Sequence, residues 1–340
     1  MDWRFLQGQD TAVDSLQRDL AASRVAGAYA FWGPEGCGKA TAASIFARAL
    51  QCGGDSPPCG TCQACEKVER GSHPDVIQVV PEKGKKSIGI EAVRDQVLER
   101  AYQRPQEGRR MVFIVDDAHR VTTQAFNAFL KTLEEPAQDA VFILVTPNLH
   151  ALPPTVLSRC RQLRFRALGR DEQRQILSAH LADEAVDFDK LISLSMGRLG
   201  KAFGADQSAL EERREAALSF LNGLSAPPGK ADEAGLLGLA ASQAGGGSSR
   251  ADVLEFLEML LGLLRDILIL EVAPDAVEPW NADVVEALRA IGGRWGVPGL
   301  IRSVDWVQEA TRDVGVINTN PSLTLESLVI SLRGTVGAAG

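Results

Sequence analysis

Apolar and polar positions follow one regime up to about residue 166 and another beyond it. In "DTAVDSLQRDLAAS", Val13, Leu16 and Leu20 recur at helical spacing behind Asp10, which predicts a helix capped by Asp10. "AYAFWG" is a short continuous apolar run and predicts a buried strand, with "TAASIFARAL" as the helix after it. The alternation continues with "DVIQVV" as strand, "IEAVRDQVLERAY" as helix and "RMVFIVDDA" as strand. "TQAFNAFLKTLEE" is then a helix stopped by Pro136, and "AVFILVT" a further strand. Strands that are apolar throughout and alternate with helices imply an α/β fold, a parallel sheet covered on both faces.

From Gly169 onward the strand signal stops. "RDEQRQILSAHL" and "DFDKLISLSMGRLGKAFG" predict a small helical subdomain, and "VLEFLEMLLGLLRDILIL", "ADVVEALRAIGG", "VPGLIRSVDWVQEATRDVG" and "SLTLESLVISLRG" predict a last region that is all helix. Between them, "ADEAGLLGLAASQAGGGSSRAD" (231–252) predicts a flexible connection.

Composition narrows the class. The 340 residues are 45% hydrophobic and 24% charged, enough for a large core divided over two or three domains. Glu255, Glu258, Arg265 and Asp266 interrupt the densest apolar run, Val253 to Val272, so it predicts a buried helix and no membrane span. The opening "MDWRFLQGQD" has no basic then apolar leader pattern, which predicts a cytoplasmic protein. A net charge of -8 excludes a protein that grips nucleic acid over its whole surface and leaves room for a local basic patch.

Three motifs carry chemistry. "GPEGCGKAT" places Gly33, four residues, then Gly38 and Lys39 between a predicted strand and a predicted helix, the context of a P-loop. Backbone N–H groups of the loop that holds Gly33, Gly36 and Gly38 would cradle phosphates, and Lys39 would neutralise the outer ones. Ala40 stands where a working site has the hydroxyl that ligates Mg²⁺, and Thr41 is turned about 100° away around the helix. In "VFIVDDAHR", Asp116 ends a strand at the carboxyl edge of the sheet, the place of a Mg²⁺-holding carboxylate. Asp117 replaces an expected water-polarising Glu with a side chain one methylene shorter. Cys52, Cys59, Cys62 and Cys65, with turn-forming Pro57, Pro58 and Gly60 between them, suit tetrahedral Zn²⁺ in a closed structural site. His73 is a weaker candidate ligand, read as a surface or turn residue before Pro74, and Cys37 and Cys160 read as core or loop thiols. Ser158-Arg159-Cys160 follows the last predicted strand, and Arg159 has two readings. It is either a surface ion pair or a finger stabilising charge on a phosphate held by a neighbouring subunit.

Taken in order, "GQDTAVDSL", "FWGPEGCGKATAA", the four-cysteine insert, "HPDV", "SIGIEAVRD", "NAFLKTLEEPAQDAVFILVT" and "LSRCRQLRF" resemble bacterial DNA polymerase III clamp-loader subunits of the AAA+ class over about residues 5–166. The resemblance implies an AAA+ P-loop domain at 1–166 with its zinc module at 52–65, a helical lid at 167–208 and a helical collar at 209–340, the last matched more weakly through "VGVINTNPSLTLESLVISL". Within the family, Ala40 and Asp117 depart from the gamma/tau motor. So do the polar sensor position, at Thr146 or Pro147, and the sensor Arg position, which falls on Gly200 with Arg198 close by. These departures imply a delta-prime-like subunit that hydrolyses no ATP itself and offers Arg159 in trans to ATP on a neighbour. Its implied partners are gamma/tau and delta subunits in a five-subunit ring, and indirectly the sliding clamp and primer-template DNA. Binding of ATP or ADP in the chain's own site stays open, and the alternative is an ATP-hydrolysing gamma/tau-like motor. Arg94 and the cluster Arg159, Arg161, Arg164 and Arg166 are candidate DNA-backbone contacts or, equally, surface charges.

Overall fold

The computed structural model describes every residue except 1, 83–84, 86, 138, 182–185, 204–205, 226–234, 236–237, 239–248 and 336–340. Most of the expected flexible connection at 231–252 lies outside the described residues. The chain forms two compact units, Met1–Leu181 with Arg198–Gly200, and Ala182–Gly197 with Lys201–Gly340.

The first unit is built on a five-stranded parallel sheet. Its strands are β1 (Ala28–Trp32), β2 (Val76–Val79), β3 (Met111–Val115), β4 (Ala140–Thr146) and β5 (Arg161–Arg164), in the order β2-β3-β4-β1-β5. The helices around them are α1 (Asp10–Ala21), α2 (Lys39–Gln51), α3 (Gln63–Glu69), α4 (Ile90–Val93), α5 (Thr123–Glu134), α6 (Pro154–Leu157) and α7 (Arg170–His180). Every residue of β3 and of β4 is buried, as a central strand covered on both faces requires. Side chains alternate between two cores. Phe113 and Phe142 stack at 5.0 Å on one face, with Phe129 edge-on to Phe142. Val112, Ile114, Val141 and Ile143 join Tyr29, Phe31 and Phe46 on the other.

Three details differ from the sequence expectations. Asp10 is the first helical residue of α1 and does not cap it; Gln9 precedes it with no side-chain cap. The Gln9 amide instead donates to the Cys37 and Arg166 carbonyls and accepts from the Arg166 N–H, tying the start of α1 to the P-loop and the end of β5. The expected helix from Ile90 to Tyr102 keeps only the α4 turn and widens at Arg94–Leu98 into a π turn. There Gln96 grips the Val80 backbone through both its amide atoms, at 3.1 and 3.0 Å. Arg161–Arg164 adds a fifth strand after Cys160, so Arg159 precedes the last strand of the sheet.

The second unit is helical: α8 (Phe188–Leu194), α9 (Leu199–Ala202, shared with the first unit), α10 (Gln207–Leu224), α11 (Arg250–Val272), α12 (Val285–Arg312) and α13 (Pro321–Arg333). The apolar run expected to be a buried helix is α11, whose Leu257, Leu260, Leu263 and Leu264 are fully buried. Its one buried charge, Asp266, accepts from the Trp280 and Asn281 N–H groups, the Asn281 side-chain amide and Arg265, so it is fully engaged. The two expected helices at 282–293 and 297–315 run together as α12 across a kink at Gly296, and a π turn follows at Asp313–Ile317. No helix among the described residues is long and apolar enough to cross a membrane.

Candidate nucleotide and metal sites

Because the sheet is parallel, the carboxyl ends of β1, β3 and β4 share one edge, where such sheets bind ligands. The structure brings Gly33, Gly36, Gly38, Lys39, Asp116, Asp117 and Thr146 to that edge. The loop from Gly33 to Gly38 joins β1 to α2, and the glycines at its start and middle have a steric reason. Gly33 has φ +147°, and a Cβ there would stand 2.0 Å from the Phe165 carbonyl oxygen. Gly36 has φ +75°, and a Cβ there would stand 2.5 Å from the Cα of Arg198. No larger residue fits either place without moving backbone.

Lys39 is buried and turned back into its own loop, donating to the carbonyls of Gly33 (2.7 Å) and Pro34 (2.5 Å). Ala40 follows it in the first turn of α2, with no hydroxyl to offer a metal. Asp116 is the first residue beyond β3. Desolvation at the sheet edge, reinforced by the Asp117 carboxylate, holds the Asp116 carboxyl above its ordinary value. Asp117 sits in left-handed backbone at φ 52° and faces Arg120 at 3.4 Å. Thr146 lies beside Trp32 in register, and its hydroxyl serves the following turn, donating to the Asn148 carbonyl at 2.9 Å. Arg198, not Gly200, meets the P-loop, and its guanidinium pairs with Glu35 at 3.2 Å. Cys37 is buried, donates to the Pro34 carbonyl and has its thiol pushed up by that burial.

Arg159 lies at the opposite edge. β5 runs parallel to β1 with Arg161 opposite Tyr29 and Arg164 opposite Trp32, so Arg159 precedes the amino end of the sheet. Its guanidinium donates to the Thr155 carbonyl at 2.6 Å and pairs with Glu134 at the end of α5. The rest of the basic cluster is also engaged: Arg161 with Asp19, Arg166 with Glu172, and Arg164 over the Trp32 ring at 5.3 Å. Arg94 is exposed at the start of the π turn.

Cys52 ends α2, Cys59 and Cys62 lie on the loop, and Cys65 sits in α3, whose start inside the cysteine run the sequence pattern missed. Their four sulfurs lie within 4.8 Å of one another, and Cys62 Sγ is 4.0 Å from Cys52 Sγ. Zn–S bonds of about 2.3 Å in a tetrahedron need sulfurs about 3.8 Å apart, so the residues fit the ion. The backbone favours thiolates, since the Gly54 and Cys59 N–H groups donate to Cys52 Sγ at 3.3 Å. The N–H groups of Thr61 and Cys62 bring the Cys59 thiol down to about 6. His73 stands outside the four-sulfur cluster and is buried where a surface or turn residue was expected, its Nδ1 accepting from the Asp75 N–H. Cys160 is half-buried, its thiol pushed up to about 12 by desolvation.

Sequence reasoning missed Asp75, whose fully buried carboxylate accepts from the N–H groups of Gln106 (2.7 Å), Glu107 (2.9 Å) and Gly108 (2.6 Å). It fixes the loop that enters β3, and so the strand that presents Asp116.

Residues 8–169 match the family described as DNA polymerase III, delta subunit. The gamma/tau subunit of DNA polymerase III from Mycobacterium tuberculosis (strain H37Rv) is 31% identical over 344 aligned residues, covering 94% of this chain and 58% of that protein. Residues 8–169 belong to the DNA polymerase III clamp-loader subunit family. A second relative, the tau subunit of Escherichia coli (strain K12), is 33% identical over 210 residues, 60% of this chain and 32% of that protein. The chain thus spans under two thirds of the length of these relatives. A Thermotoga maritima structure described as a DNA polymerase III, gamma subunit-related protein shares the fold at a TM-score of 0.56, with 19% identity over 95% of this chain and 98% of that one.

Proposed function

We propose that this clamp-loader subunit is delta-prime-like: a member of a five-subunit ring that opens the sliding clamp and places it on primed DNA without hydrolysing ATP in its own site. Its parts are the AAA+ domain at 1–166, the lid at 167–208 and the collar at 209–340, with gamma/tau and delta subunits as partners. One observation carries the reading. The parallel sheet puts Arg159 and the chain's own P-loop at opposite edges, so Arg159 serves a phosphate only when a neighbour supplies it. Ala40, with no metal-binding hydroxyl, and Asp117, turned towards Arg120, support the loss of hydrolysis. The cysteine cluster would hold structural Zn²⁺, and Gly33, Gly36, Gly38, Lys39 and Asp116 would contact any bound ATP or ADP. Arg198 joins that set by its place beside Gly36.

A second reading, an ATP-hydrolysing gamma/tau-like motor, is favoured by the names of the relatives at 31% and 33% identity. Steady-state ATPase assays on the purified chain, with a nucleotide titration with and without Mg²⁺, separate the two. The delta-prime-like reading expects no turnover above background and an affinity indifferent to Mg²⁺. Motor-like turnover that Lys39→Ala abolishes would overturn it in favour of the second.

A further inference from the structure

Arg48 carries its charge where burial disfavours one. It lies in α2 at 1% exposure, in a unit whose described residues bury only one other cation, Lys39 of the P-loop. Taking a guanidinium out of water is costly unless negative charge comes with it. The ion pair with Glu69, Nη1 to Oε1 at 3.2 Å, supplies part of that charge. The Glu69 side chain is 44% exposed, however, so water shares its carboxylate.

The placement of Arg48 shows where further negative charge is at hand. Arg48 stands four residues before Cys52 at the end of α2, and Glu69 four residues after Cys65 on α3, so each is one helical turn from a cysteine of the cluster. Cys52 and Cys65 are themselves buried. The other end of the guanidinium reaches the loop that carries the remaining two sulfurs: a Cβ on Gly60, between Cys59 and Cys62, would stand 3.9 Å from Arg48 Nη2. Four thiolates around Zn²⁺ leave two formal negative charges. The neighbouring cations are drawn outward. Lys67 pairs with Glu107 and Arg70 with Glu66, while Arg109 is exposed and Arg110 half-buried across the cavity that Cys52 borders. Arg48 is thus the buried cation placed to face the cluster from within the fold.

We propose that Arg48 is the countercharge of the cysteine site: its guanidinium stabilises the negative charge of the four-thiolate Zn²⁺ centre and so sets how tightly the ion is held. The inference rests on the reading of the cysteines as a structural Zn²⁺ site. Arg48 acts through the thiolates and does not touch the ion. Its influence is electrostatic, so the charge matters more than the shape of the side chain that carries it.

The test measures the Zn²⁺ affinity of the full chain by competition with a chromophoric chelator, with the fold of each variant checked by circular dichroism. Arg48→Gln is expected to bind Zn²⁺ about tenfold or more weakly than the parent, the scale on which partners of metal ligands act. Arg48→Lys keeps the charge and is expected to stay closer to the parent than to Arg48→Gln. Glu69→Gln leaves the guanidinium in place and removes a competing carboxylate, so its affinity should equal or exceed the parent's. Unchanged affinity in Arg48→Gln overturns the proposal. So does equal weakening in Arg48→Lys, or in Glu69→Gln, since the ion pair would then act as a clasp between α2 and α3 and not through charge. Where Arg48→Gln fails to fold, Arg48→Lys and Glu69→Gln decide by the same criteria, each set against the parent. A parent free of Zn²⁺ removes the metal reading and this inference with it, whereas a Zn²⁺-loaded parent with an indifferent Arg48 removes the inference alone.

Discussion

Replacing Arg159 by Ala separates what this side chain does for its own unit from what it does for a neighbour. Within the chain its guanidinium meets Glu134, the Thr155 carbonyl and Ser158 Oγ. With the Arg159 and Glu134 side chains 32% and 48% exposed, the pair is worth about 0.2–1 kcal/mol, so the melting temperature should barely move. Its distance from the chain's own P-loop follows from register. Arg161 is level with Tyr29, three residues short of Trp32, and at about 3.3 Å per residue that alone is about 10 Å. Arg159 lies further back and Lys39 further on, so nucleotide affinity of the isolated chain should be unchanged. In a reconstituted ring the neighbour's hydrolysis should fall about 10³-fold or more, a barrier increase of about 4 kcal/mol. The assay is steady-state ATPase of rings with parent or Arg159→Ala chain, with assembly checked by size-exclusion chromatography. Unchanged turnover in intact rings would refute the trans role and leave Arg159 as a surface ion pair. Weakened nucleotide binding in the isolated chain would refute the opposite-edge argument.

Two further outcomes follow from the first unit. Elemental analysis of freshly purified protein should return one Zn²⁺ per chain, with Cys62→Ser lowering the content; metal-free protein with an intact melting transition would reject the zinc site. Asp75→Asn should cost about 2–4 kcal/mol in chemical denaturation, because an amide nitrogen then faces backbone N–H donors that a carboxylate accepted. The pH dependence has a definite sign. Burial alone raises the Asp75 carboxyl, and the three backbone donors outweigh it, so its folded value lies below the ordinary one. Its stabilisation is therefore present above the unfolded value of about 3.9 and lost as pH falls through the folded value. Asp75→Asn should flatten that acid limb, and an unchanged acid limb would refute the assignment.

How far the sequence disclosed this depends on whether a residue's role was local. β4 was legible residue for residue, because "AVFILVT" is buried on both faces and central strands are apolar throughout. β5 was harder: of Arg161–Arg164 only Leu163 is buried, and charged residues are what an edge strand shows. The P-loop glycines and the cysteine run were legible because chain geometry fixes their spacing. Asp75 was not, since its three donors come from residues 106–108, more than thirty positions away. For Arg198 the motif alignment fell on Gly200 with Arg198 close by, and the meeting of Arg198 with Gly36 is a tertiary contact that spacing alone does not show. The end of the helix after Val93 was set by the grip of Gln96 on Val80, while helix propensity alone carried the pattern on to Tyr102.

The degenerate P-loop divides phosphate holding from metal holding. The loop N–H groups and Lys39 belong to the first task, and the tight fits of Gly33 and Gly36 preserve the loop's shape whatever happens to catalysis. The hydroxyl missing at Ala40 belongs to the second, as do the two acids beyond β3, one held above its ordinary pKa and the other facing Arg120. A phosphate that drew Lys39 away would replace its bonds to the Gly33 and Pro34 carbonyls with stronger charged ones. Mg²⁺ at the same place would meet no oxygen from position 40. Indifference to Mg²⁺ is therefore the sharpest discriminator between the proposed delta-prime-like subunit and a motor, because it probes the metal-holding part, where position 40 offers no oxygen, and leaves aside the phosphate-holding part both would share.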